Sequence, residues 1–185
     1  LLGTTPALLV PGLPDEAFTA LDGDDKKLVA SLRKRNRQER EGQGNLFGQA
    51  GISVANANLA RTAREMDALP NVTLADVHLA QRRFFEFDNS PALKQARAVA
   101  DAWCSAFVAV KAPGKPEITH ATIERLTDGG TPGGATAASL AELSAQYRFF
   151  HWHLEFPQIF TVADTVSGGS GPGWTGGFSC VLGNP

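Results

Sequence analysis

Cysteine is scarce: Cys104 and Cys180 are the only two among 185 residues. Two thiols build neither a disulfide framework nor a cluster of metal ligands. Charge is also thin, at 19% of residues with a net charge of −2. This excludes a wholly basic nucleic-acid binder but leaves room for a local basic patch. Every apolar run breaks well before the roughly 18 residues that a membrane-spanning helix needs. The opening LLGTTPALL has neither a basic leader nor a small-residue cleavage site, so the expectation is a cytoplasmic protein with no membrane partner. Missing as well are the G-K-[ST] end of a phosphate-binding loop, a G-x-S-x-G nucleophile elbow and an H-E-x-x-H helix.

What is present is 43% apolar residues, too many for general disorder and enough for one ordinary domain with a core. The pattern predicts a mainly α chain. A short helix is expected over Asp15–Leu21. A second starts near Asp24 and Asp25, whose carboxylates suit a first turn. After Leu28, Val29 and Leu32 it runs into RKRNRQEREGQGN, a surface or projecting helix with little core support before Leu46 and Phe47. Residues 53–69 place Leu59, Ala63, Met66 and Leu69 near one face. Thr73 with Asp76 resembles a cap for an amphipathic helix carrying Leu74, Val77, Gln81, Phe84 and Phe85. Ser90-Pro91 caps a fifth, holding a 3.6-residue period from Leu93 to Val110. A short helix over 119–127 and a long one over 137–154, ended by Pro157, complete the helical set.

PGKP at 113–116 and DGGTPGG at 128–134 are loops, as is GGSGPGWTGG at 168–177. Apolar Phe178, Cys180, Val181 and Leu182 in GFSCVLGNP predict a short buried strand with no partner in this chain. The expected fold is therefore multi-helical with a C-terminal loop and one orphan strand. Its expected divisions are a helical body over 1–160, a glycine-rich linker over 161–177 and a strand with a truncated motif over 178–185. A first residue that is not methionine, and an end straight after the strand-like run, read as an excised piece of a larger chain.

Few residues carry chemistry. Arg33, Lys34, Arg35, Arg37 and Arg40 are candidate contacts to a phosphate backbone, since Arg33, Arg37 and Arg40 share a helix face. Arg37 also has Glu41 at i,i+4, so a solvated helix face accounts for the same pattern. Phe149, Phe150, Trp152, Phe156 and Phe160 read as core packing or an interface between domains. His151 and His153 diverge by roughly 200° on a helix and make a poor metal pair. His78 and His120 stand alone. Asn184, after an apolar run, carries an amide that both donates and accepts, suited to holding an exocyclic amine of a flipped base.

FHWHLEFPQIF at 150–160, followed by a glycine-rich spacer and GGFSCVLGNP at 176–185, resembles the approach to the catalytic motif of amino-directed DNA methyltransferases. The closest type is the large fused restriction–modification or phage-resistance enzyme, usually adenine-specific. LLGTTPALL and the PDEAF…GDDKK stretch at 14–27 resemble the insertion that precedes the motif there. The resemblance places Asn184 and Pro185 at the start of the Asn-Pro-Pro-aromatic motif. It implies a larger α/β methyltransferase fold around the orphan strand, with this helical body inserted into it. It also implies methyl transfer from S-adenosylmethionine to adenine N6 in duplex DNA. Asn184 and the Pro185 carbonyl would hold the amine, and an aromatic residue beyond Pro185 would stack on the base. The glycine-rich cofactor loop would lie before Leu1 and the target-recognition region elsewhere, so the chain alone is expected to be inactive and to bind no cofactor. The competing expectation is a non-enzymatic helical module that binds DNA or another protein.

Overall fold

The computed structural model describes residues 2–44, 52, 54–163 and 171–183. Eight α-helices follow one another among them. They are α1 (Pro6–Leu9), α2 (Lys26–Gly44), α3 (Ala57–Asp67), α4 (Leu74–Asp88), α5 (Pro91–Val108), α6 (His120–Thr127), α7 (Gly134–Tyr147) and α8 (Trp152–Glu155). A 3-10 turn, Asp15–Phe18, lies between α1 and α2.

Local chemistry sets most of the boundaries. Asp25 Oδ1 accepts from the backbone of Lys27 and Leu28, both at 2.9 Å, and so starts α2. Thr73 and Asp76 form the expected reciprocal cap of α4, at 3.2 and 2.8 Å. Ser90 accepts from Leu93 N ahead of α5, with Pro91 in the first turn, where its missing N–H leaves no bond unmade.

α5 is the axis of the molecule. Leu93, Val99, Ala102, Trp103 and Ala106 are buried along it, and α6, α7, α8, α4 and the 3-10 turn all pack on it. Small alanines let neighbouring helices approach, while Trp103 and Phe107 fill the volume between them with rings 4.6 Å apart. α2 lies against the 3-10 turn and α6, and α3 against α4.

Four expectations are corrected. The 178–185 strand does not form over its described part, 178–183; among the described residues the only strand-like pairing is one antiparallel bridge between Thr161 and Thr175. A strand needs a neighbouring edge for its N–H and C=O groups, and among the described residues none pairs with 178–183. Val181 and Leu182 are exposed instead, and the described chain is α-helical with loops rather than part of an α/β sheet. The helix expected over 137–154 is broken: Arg148 adopts a left-handed conformation at φ 49°, and α8 restarts at Trp152. The break frees Phe150 N to donate to Leu2 O at 2.9 Å. Gly3 passes so close that a Cβ there would sit 1.8 Å from Phe150 O.

The apolar face of α4 points outward. Leu74, Val77, Phe84 and Phe85 are all exposed, whereas half-buried Leu79, Ala80 and Phe87 lie on the other side. The basic part of α2 has more support than expected, because Asn36 is fully buried beneath it. Its Nδ2 donates to Leu13 O and its Oδ1 accepts from His120 N, both at 2.8 Å. Leu46 and Phe47 lie outside the described residues. Among those residues no helix is long and apolar enough to cross a membrane.

Candidate functional site

The FHWHLEFPQIF block is held by buried polar groups that its own sequence does not contain. Asn56, just ahead of α3, donates through Nδ2 to His153 O at 2.7 Å and to Phe160 O at 2.9 Å. Its Oδ1 accepts from Val162 N at 2.7 Å. One buried amide thereby satisfies three backbone groups where α8 turns back at Pro157. Arg97 of α5 reaches the same turn, with a bidentate pair to Glu155 at 3.2 and 3.1 Å and a bond to Asp88 at 2.6 Å.

His151 is wholly buried with both ring nitrogens engaged. Nδ1 accepts from Thr4 N at 3.1 Å, which assigns the proton to Nε2, 2.8 Å from Asp101 Oδ1. It ties the N-terminal segment to α5 and offers no free nitrogen to a ligand. His153 sits 6.4 Å away, centroid to centroid. Burial, with a lesser push from His151, drops its pKa to about 3, so the ring is neutral. Its Nδ1 has no hydrogen-bond partner. The described residues contain no group of three or more His, Cys, Asp or Glu side chains placed to hold a metal ion. Burial also pushes the Cys104 thiol up to about 12, which makes it a poor nucleophile.

Onto this block folds the segment leading to GNP. Trp174 stacks on His153 at 6.1 Å and meets Phe160 edge-on at 5.2 Å. Phe178, still 40% exposed, meets Trp152, Phe156 and Phe160 at 5.7, 5.3 and 5.1 Å, each in an edge-to-face arrangement. Thr161 and Thr175 exchange two backbone hydrogen bonds, and Ala7 N donates to Pro172 O at 3.1 Å. The aromatic run therefore builds one joint between the helical body and residues 171–178. Asn184 and Pro185 follow Phe178 by six and seven positions and lie outside the described residues.

The five basic candidates on α2 do not act as a unit. Arg35 turns to Glu39 at 3.3 Å and Glu117 at 2.7 Å. Arg40 donates to Leu13 O at 2.8 Å and to Asp15 at 3.3 Å. Arg37 pairs with Asp15, whose carboxyl it holds below the usual carboxylate range, and Arg33 reaches Asp15 O at 3.3 Å. Lys34 is exposed. Asn56, Asp101 and Trp174 escaped the sequence reading. Asn56 and Asp101 act through partners about 100 and 50 residues away, and no local pattern encodes such pairings.

Comparison with family models, with curated proteins and with solved structures found no match to this chain.

Proposed function

We propose that this chain is part of a cytoplasmic DNA methyltransferase of the fused restriction–modification or phage-resistance type. It would act on adenine N6 in duplex DNA with S-adenosylmethionine as methyl donor. The observation that carries this reading is the aromatic joint. The two stretches that bear the resemblance, 150–160 and 176–185, meet through Phe178 on Trp152, Phe156 and Phe160. In this reading the helical body supplies a rigid seat from which the chain delivers Asn184.

Each glycine-rich stretch is closed at one point by the chain itself, where a Cβ on Gly130 would meet Arg125 Cγ at 2.9 Å and one on Gly176 would meet Ile159 O at 2.1 Å, while Gly133, Gly134, Gly171 and Gly177 face open space. In this reading the donor's site belongs to sequence beyond this chain. What this chain contributes is orientation. The Asn184 carboxamide oxygen and the Pro185 carbonyl accept hydrogen bonds from the two protons of the target amine, holding the nitrogen in a reactive pose. The target base must leave the helical stack to be reached.

The test is transfer of labelled methyl groups to duplex DNA by the intact protein and by Asn184→Ala. The reading expects loss of transfer with the helical body still folded; normal transfer by the variant rejects it. A second reading, a protein-interaction module, has one observation in its favour. Leu74, Val77, Phe84 and Phe85 form an exposed stripe along α4. It predicts no transfer by any form of the protein.

A further inference from the structure

The five-residue basic candidate splits into two groups, and one of them lines a groove. Arg35 points to Glu39 and to Glu117 ahead of α6, and Arg40 to the Leu13–Asp15 segment. Arg33, Lys34 and Arg37, of which Arg33 and Arg37 also bond to Asp15, line an open groove of about 770 Å³ between α2 and the chain at Phe18–Ala20, joined there by Lys26. Its lining includes the buried side chains of Phe18 and Val29 and contains no acidic residue.

Of the nearby carboxylates, Asp24 and Asp25 are committed elsewhere, whereas Asp15 is shared with the groove cation Arg37. Asp24 accepts from the backbones of Leu21 and Lys111 at 3.0 and 2.7 Å, and Asp25 caps α2. Asp15 meets Arg37 beside the groove and leaves that guanidinium half exposed. Lys26, Arg33 and Arg37 fall within about 40° of one another around α2 and span roughly 16 Å of its axis, with Lys34 on the flank. A duplex strand presents a phosphate about every 3.4 Å along its axis, so such a line of cations meets several in succession. The aromatic floor is buried, which leaves no face for a base to stack on. A row of cations without an exposed ring suits a polymer backbone rather than a nucleotide.

We propose that this groove binds the phosphodiester backbone of duplex DNA, with Lys26, Arg33, Lys34 and Arg37 as the contacting cations. The inference rests on the reading that duplex DNA is the protein's substrate. It adds a contact surface on the helical body, remote in sequence from Asn184 and without sequence preference of its own.

The experiment is fluorescence anisotropy of the 185-residue chain with a labelled duplex of arbitrary sequence, titrated from low to physiological salt. Each of Lys26→Gln, Arg33→Gln and Lys34→Gln should make the log–log salt slope about one unit shallower. The triple variant should bind at least about tenfold more weakly, while Arg35→Gln stays within about twofold. Circular dichroism checks the fold; if the triple variant unfolds, exposed Lys34→Glu reads the same slope. Absence of wild-type binding at low salt overturns the proposal. So do a triple variant that binds like wild type, an equal loss from Arg35→Gln, or tighter binding of single-stranded RNA. A failed groove with Asn184-dependent transfer intact rejects the groove alone. A groove that binds duplex in an intact protein that transfers no methyl group rejects the enzyme reading alone.

Discussion

The Trp174 indole lies over the His153 imidazole with centroids 6.1 Å apart and planes inclined by 21°. The stack seals a histidine whose pKa has fallen from 6.5 to about 3, chiefly through burial. In this environment the ring is an uncharged packing group. A proton on it would bring a buried charge with no anion to meet it.

That depression has a definite sign. The unfolded chain binds a proton at His153 near pH 6.5 and the folded chain does not, so stability is full above pH 6.5 and falls as the pH drops from there toward 3. The slope for one such group is about 1.4 kcal/mol per pH unit, or roughly 2 kcal/mol between pH 7 and 5. His120, also lowered by burial, adds a term of the same sign. Urea unfolding of wild type and His153→Phe at both pH values separates them. The variant should lose most of the His153 contribution, and an unchanged pH dependence would refute the assignment.

Asn56→Ala should cost about 3–5 kcal/mol, because two carbonyls and one N–H lose their buried partner together. Asn56→Asp should be no better. It keeps the acceptor for Val162 N but sets a carboxylate against the carbonyls of His153 and Phe160. Denaturant melts measure both, and a loss below about 1 kcal/mol for Ala would contradict the three-bond account.

Phe178→Ala should loosen the joint rather than the body. Its edge contacts are worth about 0.5–1.5 kcal/mol each beyond simple burial. Hydrogen exchange at Thr175 N–H, which bonds to Thr161 O at 2.9 Å, should quicken while amides in the centre of α5 keep their protection. Phe178→Leu should restore part of the protection. Equal exchange at Thr175 in all three proteins would show that Phe178 does not hold the segment.

Local rules made much of the helical layout readable. Ser90-Pro91, Thr73 with Asp76 and the period read from Leu93 to Val110, which α5 follows as far as Val108, act within a turn or two of themselves, so sequence alone exposes them. The α4 stripe shows where periodicity stops. It identified an apolar face correctly but could not say whether anything in this chain covers it, and Leu74, Val77, Phe84 and Phe85 are bare. The 178–183 run failed for a related reason: apolar content argued for burial, but a strand also requires an edge to pair with. Its one large anchor, Phe178, found rings instead. In the candidate site the aromatic block was legible as packing. The buried clamps Asn36 and Asn56 and the half-buried Asp101 were not, since each depends on distant backbone or side-chain partners.

Nucleoside analysis tests the central claim most directly. Unmethylated duplex DNA is incubated with S-adenosylmethionine and the intact protein carrying this chain, digested to nucleosides and analysed by mass spectrometry. The account predicts N6-methyladenine as the product, lost on Asn184→Ala and absent when the 185-residue chain is used alone. DNA that emerges unmethylated from the intact protein, or equally methylated by the Asn184→Ala variant, would contradict it.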